Sequence, residues 1–107
     1  MAAISKILGQ IKPAGTTDTD VYTVPANTQA QVILNICNQT GSAETYRVAL
    51  RQNGAGLSAI QYLVYDVSLA ANTFAQIKGL CLNAGDVITA RSASGNISFT
   101  ATGLEIT

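Results

Sequence analysis

Apolar residues recur at every second position through most of this chain, and no stretch keeps a 3.6-residue period beyond two turns. A period of two sends alternate side chains to opposite faces of an extended backbone, so a chain patterned this way folds as sheet. The residue types agree: ten Ile, seven Val and twelve Thr carry β-branched side chains that suit a pleated surface. Turn-forming residues interrupt the pattern at Pro13-Ala14-Gly15, Pro25, Asn38–Ala43, Asn53-Gly54-Ala55-Gly56, Asn83-Ala84-Gly85-Asp86 and Ser92–Gly95. The segments between them predict strands at Lys6–Ile11, Asp20–Val24, Thr28–Cys37, Thr45–Gln52, Ile60–Val67, Phe74–Leu82, Asp86–Arg91 and Asn96–Thr107. About eight short strands with such spacing predict an all-β fold, a single antiparallel β-sandwich of jelly-roll-like form over residues 1–107.

Faces follow from the alternation. In Thr28–Cys37, Ala30, Val32, Leu34 and Ile36 share one side and Gln29, Gln31, Ile33 and Asn35 the other. Tyr46, Val48 and Leu50 point opposite to Arg47, Ala49 and Arg51. Ile7 and Ile11 are predicted on one side of the first strand, with Leu8 on the other. Ile60–Val67 is apolar on both faces, which predicts a central strand, with Tyr62 and Tyr65 on opposite sides. Phe74 and Phe99 fit inward positions. Ala26-Asn27-Thr28-Gln29-Ala30-Gln31 is echoed by Ala71-Asn72-Thr73-Phe74-Ala75-Gln76, as two similar turn-then-strand entries.

Composition narrows the chemistry. The chain has 107 residues, room for one domain, and 48% of them are hydrophobic, too many for a disordered tail. Only 11% are charged, and six basic side chains balance six acidic ones. A neutral chain lacks the field that draws a protein to nucleic acid or an anionic membrane, so neither is an expected partner. It also repels its own copies little, which points to a homo-oligomer. His is absent, which removes every imidazole-based catalytic or metal arrangement. A Ser nucleophile would have only Lys6, Lys12 or Lys78 as base, and no helix to hold the pair. There is no GxGxxG or phosphate loop. The expectation is a non-enzymatic domain with no catalytic residue, no cofactor and no metal. Asp18-Thr19-Asp20 offers oxygen ligands of the kind Ca²⁺ takes, but reads better as a polar loop bonding its own backbone.

Cys37 and Cys81 are too far apart for a CxxC motif. They read as buried small hydrophobes that remain thiols, with a single bridge between facing strands as the alternative. Met1–Leu8 has no long apolar core of a secretory signal, and no run is long enough to span a membrane, so synthesis in a cytosol is expected. The candidate surface residues are Arg47 and Arg51, about 13 Å apart along one strand face, and Ile4, Ile7 and Leu8. Arg favours protein contacts, and residues 1–11 are suited to a docking arm or an added edge strand.

Lys6-Ile7-Leu8-Gly9-Gln10, Tyr22-Thr23-Val24-Pro25, Thr28-Gln29-Ala30, Cys37-Asn38 and Tyr46-Arg47-Val48-Ala49 together resemble a family of small tailed-bacteriophage virion proteins. The resemblance continues through Tyr62-Leu63-Val64-Tyr65-Asp66, Ala70-Ala71-Asn72-Thr73 and the closing strand, and so spans essentially the whole chain. It implies a structural part of a phage particle located in the virion, foremost a capsid cement or decoration protein that bridges subunits of the major capsid protein. A small tail or fibre component, or a carbohydrate-binding β-sandwich module, is the alternative.

Overall fold

The computed structural model of the chain describes residues 2–107, so Met1, at the start of the expected docking segment, lies outside the described residues. Eight strands form: β1 (Ala3–Ile11), β2 (Thr19–Thr23), β3 (Gln29–Asn38), β4 (Glu44–Arg51), β5 (Tyr62–Leu69), β6 (Phe74–Leu82), β7 (Val87–Ser92) and β8 (Ile97–Ile106). They build two four-stranded antiparallel sheets, ordered β1-β8-β3-β6 and β2-β7-β4-β5. Every connection except β4–β5 carries the chain from one sheet to the other, and this interleaving is that of an eight-stranded jelly roll.

The core lies where the inner faces meet. Val32, Leu34 and Ile36 of β3 and Ile97, Phe99 and Ala101 of β8 face Val48 of β4 and Ile88 and Ala90 of β7, all essentially without solvent exposure. Tyr46 closes on Phe99 across the two sheets, with ring centroids 6.3 Å apart at 61°. Such an edge-on pair adds about 0.5–1.5 kcal/mol beyond burial. Asn38 is the largest buried polar side chain. Its amide donates to the carbonyls of Ser42, Leu69 and Ala70, and its Oδ1 accepts from the Thr40 N–H, so the end of β3 is clamped to the β5–β6 connection. Asn27 and Asn72, at matching places in the echoed hexapeptides, both adopt a left-handed backbone (φ 58° and 55°), so the echo is the same local turn made twice before β3 and β6.

Several side chains depart from simple alternation. A bulge between Ile7 and Gly9 shifts the phase of β1, so Ile7 points outward while Leu8 and Ile11 both pack on the core. β5 is an edge strand, paired only with β4, and not central. Phe99 is fully buried, but Phe74 is 70% exposed on the outer face of β6. Cys37 and Cys81 are free and exposed, because the inward phase of their strands belongs to Ile36 and to Leu80 and Leu82.

Candidate functional site

β1 is the edge strand beside β8, and its side chains divide between two sides of the sheet. Ile7, opposite Thr102, stands on the outer face and is exposed. Ile4, opposite Glu105, is exposed at the far end of the strand. Lys6 reaches Glu105 at 2.7 Å, and the Tyr22 hydroxyl donates to the same carboxylate at 2.6 Å. The ammonium of Lys6 and the hydroxyl of Tyr22 hold Glu105 below the usual carboxylate range. Burial, aided by that anion, pushes the Tyr22 phenol far up. Gly9 lets β1 pass so close to β2 that a Cβ there would collide with the Val21 carbonyl.

The outer face of the longer sheet holds a hollow of about 750 Å³. Ile7, Gln31, Ile33, Cys81, Thr102 and Leu104 line it, contributed by all four strands. Backbone at Gly103 forms part of its lining, and a Cβ there would collide with the Gln31 carbonyl, so β8 and β3 approach closely at this point. Cys81 opens onto this hollow, while Cys37 lies farther along the same sheet, in register with Phe74. With Cys81 in register with Gln31, six residues of β3 separate the two thiols, far beyond disulfide reach.

Arg47 and Arg51 project from the other sheet, so the structure does not join them to Ile7 in one surface. Each is committed within the fold. Arg47 grips Asp66 through two bonds of 2.7 and 3.0 Å and stacks 4.0 Å over the Tyr65 ring. This pairing keeps the guanidinium charged beyond its ordinary range and pulls the Asp66 carboxyl down. Asp66 sits at φ 52° in a bulge of β5, so the pair anchors an irregular edge strand to β4. Arg51 bonds Thr89 and Asp20, each at 3.0 Å, and the carbonyls of Gly54 and Ala55, tying β2 and the β4–β5 connection to the sheet. Arg91 lies 3.9 Å from Asp18. Both carboxylates of the Asp18-Thr19-Asp20 loop thus face a guanidinium, which disfavours a cation beside them.

The bulges of β5 also bring Tyr62 and Tyr65 together. Their rings meet edge-on at 4.9 Å, where simple alternation would have set them on opposite faces. Beside them, Leu57, Ser58 and Ala59 complete a second hollow of about 690 Å³. In the turn beside it, Gln61 accepts from the Ser58 N–H at 2.8 Å and donates to the Gly56 carbonyl at 2.9 Å.

No group of three or more His, Cys, Asp or Glu converges among the described residues. Sequence reasoning set Ile33 on the polar side of its strand, where it is exposed, but missed the exposed Leu57, Ile60, Leu63, Val67 and Phe74. The one signal for part of this set was the two-sided apolarity of Ile60–Val67. What the molecule presents is two largely apolar hollows on different sheets, an arrangement suited to binding. No protein-family model, curated protein or solved structure matches this chain.

Proposed function

We propose that this chain is a structural protein of a phage virion, a capsid cement or decoration protein that bridges major capsid protein subunits. The observation that carries the binding part of this reading is the hollow around Ile7, an open apolar surface spanning all four strands of one sheet. Exposed apolar surface with few free charges is what a protein partner buries at low desolvation cost. The jelly-roll strand order is compatible with it, since that architecture serves in capsid proteins as well as in lectins. The virion context rests on the sequence resemblance.

The mechanism is thermodynamic. A protein that binds only the assembled shell lowers that state's free energy by mass action, and many copies on a lattice add their effects. The test is cosedimentation of the purified protein with capsid shells that lack it. Saturable binding at a fixed copy number, weakened about tenfold or more by Ile7→Asp, is the expected result. Ile7 is the cleaner probe than deletion of residues 1–8, because Leu8 packs on the core and Lys6 holds Glu105. No binding to shells, with the protein recovered in tails or fibres, would move it to the tail.

A further inference from the structure

Five of the nine large hydrophobic side chains exposed among the described residues fall within residues 57–67: Leu57, Ile60, Leu63, Tyr65 and Val67. Ile60, on the 3₁₀ turn Ala59–Gln61 that leads into β5, is 95% exposed. Val67 is in register with inward Tyr46 and so lies toward the other side of the sheet, while the remaining four leave on the order of 400 Å² of apolar surface in water, within the range of a monomer's largest patch. The segment is held in place before any partner arrives. Ser58 and Gln61 cap the turn reciprocally, Tyr62 braces Tyr65 edge-on, and Arg47 covers one side of the Tyr65 ring. A fixed aromatic and aliphatic cluster costs little conformational entropy on binding, which is the character of an interface hot spot.

Three features restrict the occupant. Asp66, the one charged residue of the segment, is bound internally by Arg47, which leaves no free charge for a charged ligand to pair with. The bulges of β5 break the regular ladder that an added strand from a partner would extend. Arg47 and Asp66 neutralise each other beside it, so two copies brought face to face set no unpaired like charges against one another. The chain as a whole has no net charge to oppose such pairing. Two copies face to face would bury roughly 800 Å² from these four side chains, the size of a weak, concentration-dependent pair.

We infer that the surface of segment 57–67 pairs with the same surface of a second copy of this chain, across a two-fold axis. This self-association surface lies on the sheet that does not carry the Ile7 hollow, so a pair would present two such hollows at once. The test is sedimentation equilibrium of the full chain from about 1 μM to 1 mM, which brackets a micromolar pair. The wild type is expected to pass from monomer to dimer. Ile60→Asp is expected to raise the dissociation constant at least tenfold, while Ile7→Asp leaves it unchanged. Ile60 makes no buried contact, so an unaltered thermal unfolding curve for Ile60→Asp shows that the fold is intact. A wild type that stays monomeric at the highest concentration overturns the inference and leaves a foreign partner as the occupant. So does a dimer disrupted by Ile7→Asp and not by Ile60→Asp. The outcome separates from the proposed function: a monomer that still cosediments with shells sinks only the pairing, and a dimer that ignores shells sinks only the virion role.

Discussion

β3 meets β8 over ten residues, Gln29–Asn38 against Ile106–Ile97, without a break in register, and β4 meets β7 from Tyr46 to Arg51 in the same way. Each of the four outer strands differs. β1 carries an extra residue at Leu8, β2 at Val21, β6 at Lys78-Gly79 opposite Ile33, and β5 two irregularities between Tyr62 and Val67. In every case the insertion belongs to the edge strand. Inner strands are pinned by burial on one face and by neighbours on both sides, so a slip of one residue would turn a whole apolar row outward. Edge strands have a free side, and a bulge there twists the exposed backbone away from strand addition. The sheets of this molecule are thus regular where they cohere and irregular where they end, and side-chain surfaces are left as the means of contact.

The largest expected effect compares the two phenylalanines. Phe99 lies in the inner ladder with no exposure, and Phe99→Ala is expected to cost about 3–5 kcal/mol through lost burial and the cavity left behind. Phe74, on edge strand β6, should change stability by less than about 0.5 kcal/mol when replaced by Ala. Urea unfolding of the two variants measures the difference. Comparable losses would mean that the edge contributes to the fold as much as the centre does.

A second test asks whether an edge bulge is a fitted part. Gly9 follows the extra residue of β1 and lies against the Val21 carbonyl of β2, with no room for a Cβ. Gly9→Ala forces the two edge strands apart and is expected to cost about 1–3 kcal/mol. Gly41→Ala, where a Cβ would meet nothing within 4 Å, should cost nothing comparable. If both variants unfold at the same urea concentration as the wild type, β1 and β2 are not locked together at this point.

The same contrast explains what could be read from residues alone. Strand β3 was legible to within one residue, because an unbulged inner strand keeps its period of two from end to end. Phe74–Leu82 was legible in extent but not in the side chosen by Phe74, since the bulge at Lys78-Gly79 reverses the phase partway along β6. The bulge after Ile7 did the same to Ile7, Leu8 and Ile11, and the irregularities of β5 brought Tyr62 beside Tyr65. Apolarity on both faces of Ile60–Val67 pointed to a central strand, but the segment ends a sheet and leaves Ile60, Leu63, Tyr65 and Val67 exposed. Arg47 and Arg51 were placed on one face correctly, but their carboxylate partners come from β5 and the β2 end, far off in sequence. The hollow around Ile7 was not legible at all, since it needs outward side chains of four strands, distant in sequence, to be brought side by side.

The smallest expected effect concerns how one pair of edges is tied to the centre. Glu105 of inner strand β8 receives Lys6 from β1 and Tyr22 from β2, so a single carboxylate joins both edge strands of one side. Its pKa is depressed in the fold from an ordinary value of 4.5, mainly by Lys6 and then by Tyr22. A depressed carboxylate contributes stability that is present above its unfolded pKa and is lost as pH falls through the folded one. Glu105→Gln keeps an oxygen for the Tyr22 hydroxyl but loses the ion pair to Lys6, whose side chain is half exposed. The expected loss at pH 7 is therefore only about 1 kcal/mol. Urea unfolding followed from pH 7 downward should show the gap between wild type and variant closing below 4.5, where a protonated Glu105 and a glutamine become equivalent acceptors. A gap that persists unchanged into acid would mean that the side chain acts through packing, and that β1 and β2 are held by the backbone and the core alone.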